Sequence, residues 1–244
     1  MKTFRVALLV CFSLFCVALF YFSLSTFEKR EVPKTTIKTI AQTGPLKEGL
    51  KTDYLAELLD LSLDHPQCLE LSVVEKRLLE SPMIKAVSAS YLNPETLYID
   101  YTLRSPKFLL IDLENRALDE EGALFPLTPH FTPKHLPEIY LGLKSLEGLK
   151  VSYDDEKKEI AQTLSQMLAD TLLRIDLSHV EEPSLGKREI VVIVQSGEKK
   201  HFLRLPTHEF EAQLKRYLAM REKIQGQELI IDLRVPDLAY LTVI

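Results

Sequence analysis

Six histidines, His65, His130, His135, His179, His201 and His208, are the side chains of this 244-residue chain best suited to metal binding or proton transfer. Their spacing does not resemble a zinc site. His130 and His135 lie five apart in a proline-rich loop, and His208-Glu209 lacks the second histidine of an H-E-x-x-H helix. The densest acids, Asp119, Glu120 and Glu121, precede Gly122. Paired carboxylates can hold a cation or divide acid and base roles, but beside a glycine the plainer reading is a solvated turn. His179 with Glu181 and Glu182 imitates an acid–base pair, yet no nucleophile is at hand for it to serve. There is no G-x-S-x-G, no S-x-x-K and no glycine loop to cradle phosphate; Gly supplies only 8 residues. The expectation is a protein without catalytic residues, cofactor or metal.

Cysteine use agrees with that expectation. Cys11 and Cys16 sit in an apolar run, and Cys68 is the one thiol beyond it. A lone cysteine outside the run allows no disulfide and no thiolate metal cluster there, and reads as a small hydrophobe. The rest of the chain must be held by ordinary packing.

The run itself, VALLVCFSLFCVALFYFSL, covers 6–24 without a charge. As a helix at 1.5 Å per residue it spans about 28 Å, close to the ~30 Å hydrocarbon core of a bilayer. Lys2 and Arg5 precede it and no acid does, so the positive-inside rule puts the N-terminus in the cytoplasm and the remainder across the membrane. A cleaved signal peptide fits less well. Its apolar core is usually about 7–15 residues and ends at small residues, whereas this run exits through FYFSLSTFEKR. The expected organisation is a cytoplasmic tail (1–5), a transmembrane helix (6–24), a charged stalk (25–34) and an ectodomain. The ectodomain is acidic on balance and has no basic block for phosphate contacts, so nucleic acid is not expected as a partner.

Within 35–106 the pattern predicts strand, helix, helix, strand, strand. Thr36–Ile40 alternates. Thr52 can cap a helix carrying Leu55, Leu58 and Leu59, and Ser72 with Glu75 reads as a capping box before Val74, Leu78 and Leu79. Pro82 ends that helix, and Ala86–Tyr91 and Leu97–Leu103 flank an Asn93-Pro94 turn. Two helices can cover one face of such a three-stranded sheet. Residues 107–244 predict a mostly antiparallel, β-rich domain with flanking helices. Its short strands surround the glycine turn of LDEEGALF (118–125), Ile160, Leu164, Met167, Leu168 and Leu172 follow helical spacing, and Ser196-Gly197 joins a hairpin. A last helix, capped by Thr207, carries Phe210, Leu214, Tyr217, Leu218 and Ile224. The fold class is therefore α+β.

The chain closes on LIIDLRVPDLAYLTVI (229–244), an apolar strand pattern with no polar tail. At a sheet edge this ribbon would offer unpaired backbone groups to a partner strand, with Val235 and Tyr240 supplying selectivity. Between two neighbours it would be plain core.

In order and spacing, the anchor, PMIKAVSASYLNPETLYIDYTLRSP (82–106), ALDEEGALFP (117–126), LPEIYLG (136–142) and IDLRVPDLAYL (231–241) resemble the FtsQ/DivIB family of bacterial cell-division proteins. The resemblance covers nearly the whole chain. It implies a POTRA-type domain at 35–106, a β-rich partner-binding domain at 107–244, and no enzymatic activity. It implies a single-pass protein of the cell inner (cytoplasmic) membrane with a periplasmic ectodomain at the division septum. There it would scaffold other divisome membrane proteins and bind the single-pass coiled-coil proteins FtsB and FtsL. In the family, FtsB adds a strand near the C-terminal edge. Carried over, the candidate partner-binding residues are Leu233, Arg234, Val235, Leu238, Ala239 and Tyr240, with Val235 standing where the family often has Tyr. The resemblance also points to the strand around Ala86–Tyr91 as a surface linked to localisation. Two rival readings share some features: a POTRA-bearing adaptor of an envelope secretion or assembly machine, and an anchored envelope hydrolase.

Overall fold

A computed structural model describes residues 36–62, 67–131, 135–143, 153–224 and 226–244. The expected tail, transmembrane helix and stalk, and His65, lie outside the described residues. Among the described residues no helix is long and apolar enough to cross a membrane. The fold is α+β, with a mixed sheet and four α-helices among the described residues. They pack as two compact units. One holds the described residues up to Gln42 with Thr52–Leu78 and Ser88–Ile99; the other holds Thr43–Lys51, Leu79–Val87 and Asp100–Ile244.

The chain begins with the predicted element order. Strand β1 (Thr39–Thr43) is followed by helices α1 (Thr52–Leu58) and α2 (Leu71–Leu79), then strands β2 (Ile84–Asn93) and β3 (Thr96–Leu103). The three strands form one sheet in the order β1-β3-β2. Leu55, Leu59, Val74 and Leu78 are buried, as their helical spacing requires, whereas Leu79 is half exposed. The capping box expected at Ser72 is not formed. Helix α2 begins a residue earlier, the N–H groups of Val73 and Val74 turn back to the Glu70 carbonyl, and the Glu75 carboxylate accepts from the Ala89 N–H of β2 at 2.9 Å. A carboxylate serves better there, because it satisfies a strand-edge donor that no neighbouring strand reaches.

The second sheet has nine strands: β4 (Phe108–Leu110), β5 (Arg116–Leu118), β6 (Leu124–Pro126), β7 (Glu138–Tyr140), β8 (Leu172–Asp176), β9 (Ile190–Ser196), β10 (Lys199–Leu205), β11 (Leu229–Asp232) and β12 (Tyr240–Val243). Their order is β12-β11-β10-β9-β8-β7-β4-β5-β6. The sheet is mixed, with the antiparallel pairings in the majority: β4–β7, β7–β8 and β10–β11 pair in parallel, and the other five pairings are antiparallel. The two tight turns were predicted. Gly122 (φ 79°) lies between β5 and β6, and Gly197 (φ 63°) joins β9 to β10.

Helices α3 (Asp155–Leu168) and α4 (Phe210–Ile224) supply the apolar stripes that cover this sheet. Ile160, Leu164 and Leu168 from α3 join Leu214 and Tyr217 from α4 in one core with Ile175, Val192, Val194, Leu203 and Ile231. Asp154 caps α3, its side chain accepting from the Lys157 N–H at 2.9 Å. Leu172 does not continue the helix, because Ala169 (φ 42°) turns the chain into β8. Thr207 does not start α4; the helix begins at Phe210, after Glu209 at φ 58°. Along β9 and β10 the residues alternate between buried and half-buried, so the helices cover one sheet face.

Candidate partner-binding edge

The apolar C-terminal pattern folds into two strands, β11 and β12, because Pro236 and Asp237 break it between them. Pro236 cannot extend a ladder, and Asp237 takes φ 63°. The chain reverses there, and β12 pairs antiparallel with β11 from Asp232↔Tyr240 to Leu229↔Val243. Among the described residues nothing pairs with the other side of β12, which ends the sheet. All four of its residues are exposed, at 60 % for Tyr240, 50 % for Leu241 and 68 % for Val243.

The unpaired backbone groups can be assigned. Ile244 donates to the Glu228 carbonyl at 3.1 Å. Antiparallel alternation then places Thr242 and Tyr240 in the same inward set and turns the N–H and C=O groups of Leu241 and Val243 toward the open side. Their side chains share the sheet face of Ile231 and Leu229, the core face, but lie beyond helical cover. Tyr240 and Thr242 stand on the opposite face with Asp232 and Ile230. A partner strand thus meets two donor–acceptor positions and an apolar shelf.

Two other strand edges, β6 and β2, are better defended. β6 is three residues long, ends in Pro126 and keeps Phe125 buried. On the edge strand β2, Glu75 already occupies the Ala89 N–H.

An ion cluster fixes the turn that leads into β12. Arg234 bonds Asp232 through Nη2 at 2.6 Å and approaches Glu189 at 3.2 Å, while Arg204 reaches Glu189 at 2.7 Å and Asp232 at 3.4 Å. Arg216 of α4 holds Asp237 at 2.5 Å. Burial works against ionisation of Asp232, but hydrogen bonds from Arg234 and the charges of Arg234 and Arg204 outweigh it and keep the carboxyl below its ordinary value. Beside this cluster lies a pocket of about 600 Å³ lined by Arg188, Thr207, His208, Arg234, Val235 and Tyr240, among others.

The sequence-predicted residues do not share one fate. Val235, Leu238, Ala239 and Tyr240 are exposed along the turn and the start of β12. Arg234 is half-buried in the ion cluster. Leu233 is 1 % exposed and packs in the core, its N–H donating to the Arg204 carbonyl at 2.8 Å. The sequence pattern does not single out Leu241, Thr242 and Val243 as contacts, although the alternation that carries them runs on to Ile244.

The other clusters serve the fold. Asp119 is buried, accepts from the N–H groups of Glu121 and Ala123, and pairs with Arg104 at 2.7 Å, so the acidic run builds the turn before β6. Glu181 binds the ammonium of buried Lys157, and His179 lies 3.5 Å from Glu182. No family model matches the chain, and no curated protein matches it significantly.

Proposed function

We propose that the chain is a membrane-tethered, non-enzymatic scaffold that captures a single-pass partner by strand addition to β12. The observation that carries this reading is the open edge: outward backbone groups at Leu241 and Val243 beside exposed apolar side chains. Each added main-chain hydrogen bond contributes only about 1 kcal/mol net. Full burial of an aliphatic or aromatic side chain contributes about 1.5–3 kcal/mol, against an association cost of about 4–15 kcal/mol. Several side chains must therefore be covered together, and confinement to a bilayer through residues 6–24 lowers the remaining demand by raising effective concentration.

The strand-helix-helix-strand-strand order of β1–β3 supports reading the first module as a POTRA-type domain. With the resemblance to FtsQ/DivIB, the proposed setting is the bacterial division complex at the septum, with FtsB/FtsL-like coiled-coil proteins as partners. The same strand order also suits an adaptor of an envelope secretion or assembly machine, which would localise away from the division site.

The test is capture of an FtsB/FtsL-like pair by the full chain in detergent. Val243→Pro removes an outward donor and no ladder bond within the sheet. It should abolish capture while the circular dichroism spectrum and melting temperature stay those of the parent. Undiminished capture by this variant rejects strand addition.

A further inference from the structure

The C-terminal ribbon rests on a buried polar pair. His201 of β10 is fully buried. Its Nδ1 lies 2.9 Å from the hydroxyl of Tyr217 in α4, and the two rings meet edge-on with centroids 5.8 Å apart. Nε2 makes no hydrogen bond among the described residues. His201 stands opposite Leu229 in β11, and Leu229 stands opposite Val243 in β12. The pair therefore sits two strands in from the open edge, on the row that finishes there.

We propose that His201 and Tyr217 form a proton-sensitive lock on this row: the neutral pair holds α4 against β10 and β11, and protonation of His201 loosens the end of α4 together with the β11–β12 ribbon. As a regulator of partner capture the lock rests on the strand-addition reading; as a property of the fold it does not.

A protonated imidazole carries two N–H donors. The Tyr217 oxygen can accept one of them; Nε2, which makes no hydrogen bond in this geometry, would have to draw on the Ile224 and Gln227 carbonyls at the end of α4 and just beyond it. Burial is the largest influence and disfavours the cation. The carbonyls of Gln227 and Ile224 partly favour it, the Arg221 guanidinium opposes it, and the balance holds the imidazole below its ordinary value. Among the described residues no acid is among the influences on it. On α4 the titratable neighbours are Tyr217, whose hydroxyl burial pushes up to about 12, and Arg221, which donates to the Gln195 carbonyl at 2.6 Å. The adjoining residues of that sheet face are Val194 and Ser196 on β9 and Leu229 on β11.

The sign follows from linkage. The unfolded histidine titrates near 6.5 and the folded one lower. The lock's contribution is complete above about pH 6.5, falls as pH drops through that value, and levels off below the folded pKa. Hydrogen exchange read by mass spectrometry on the full chain in detergent tests this at pH 7.5 and 5.5. Protection factors over 210–224 and 229–244 should fall at the lower pH in the parent, by up to about tenfold, while 190–196 holds. His201→Gln, which keeps a neutral hydrogen-bonding group, should show little of that fall. An equal fall in both proteins, or none in the parent, overturns the lock. The imidazole resonances of the parent give a second reading independent of the variant: His201 must titrate below 6.5, and titration at or above that value overturns the proposal. Partner capture at pH 7.5 reports on strand addition alone, so the two readings can fail separately.

Discussion

Asp232 carries most of the electrostatics at the turn into β12. It lies opposite Tyr240 in the ladder and accepts from Arg234 while Arg204 stands 3.4 Å away. A carboxyl held below its ordinary pKa contributes stability above the unfolded value, about 3.9, and loses it as pH falls through the folded value. Asp232→Asn should therefore lower the melting temperature at pH 7, by the equivalent of about 1–2 kcal/mol for a charge-assisted bond. The gap between variant and parent should close below about pH 4. Differential scanning calorimetry across that range measures it, and a constant gap would assign the loss to packing. At this scale the sequence was a partial guide. IDLRVPDLA located the turn, but Leu233 and Arg234 are adjacent in sequence and opposite in fate, one in the core and one in the ion cluster. A strand's alternation tells which residues share a face; which face carries the helices depends on packing far along the chain.

Strand edges govern the behaviour of the elements. Helix α2 places Glu75 so that its carboxylate takes the Ala89 N–H of edge strand β2, and this contact could not be read from a spacing that equally suits a capping box. Glu75→Ala leaves that donor without its partner and should cost about 1–2 kcal/mol, read as a lower urea midpoint, whereas Glu75→Gln, whose amide oxygen can still accept, should recover most of the loss. An unchanged midpoint for the alanine variant would mean water replaces the carboxylate at no cost. Local patterns predicted the β9–β10 hairpin well, because its alternation and Gly197 lie within one short stretch. The parallel pairings of β7 with β4 and β8, and of β11 with β10, were not legible, since each joins segments separated by a long connection. Helical spacing likewise ran past Leu168 to Leu172, and only the backbone turn at Ala169 separates helix from strand.

Across the larger unit the nine-stranded sheet is asymmetric. One end is closed by the short, proline-ended β6, and the other is the exposed, apolar β12. An isolated soluble domain gains nothing from such an edge and risks self-association through it. A chain held at a membrane beside a partner with a complementary strand gains a binding site. The most direct measurement is photo-cross-linking in living cells from residues introduced at Tyr240 and Thr242, with Leu124 on β6 as the control. Strand addition predicts an adduct with a single-pass division protein from both β12 positions and none from β6. No adduct from β12, or adducts of equal yield from the two edges, would contradict it.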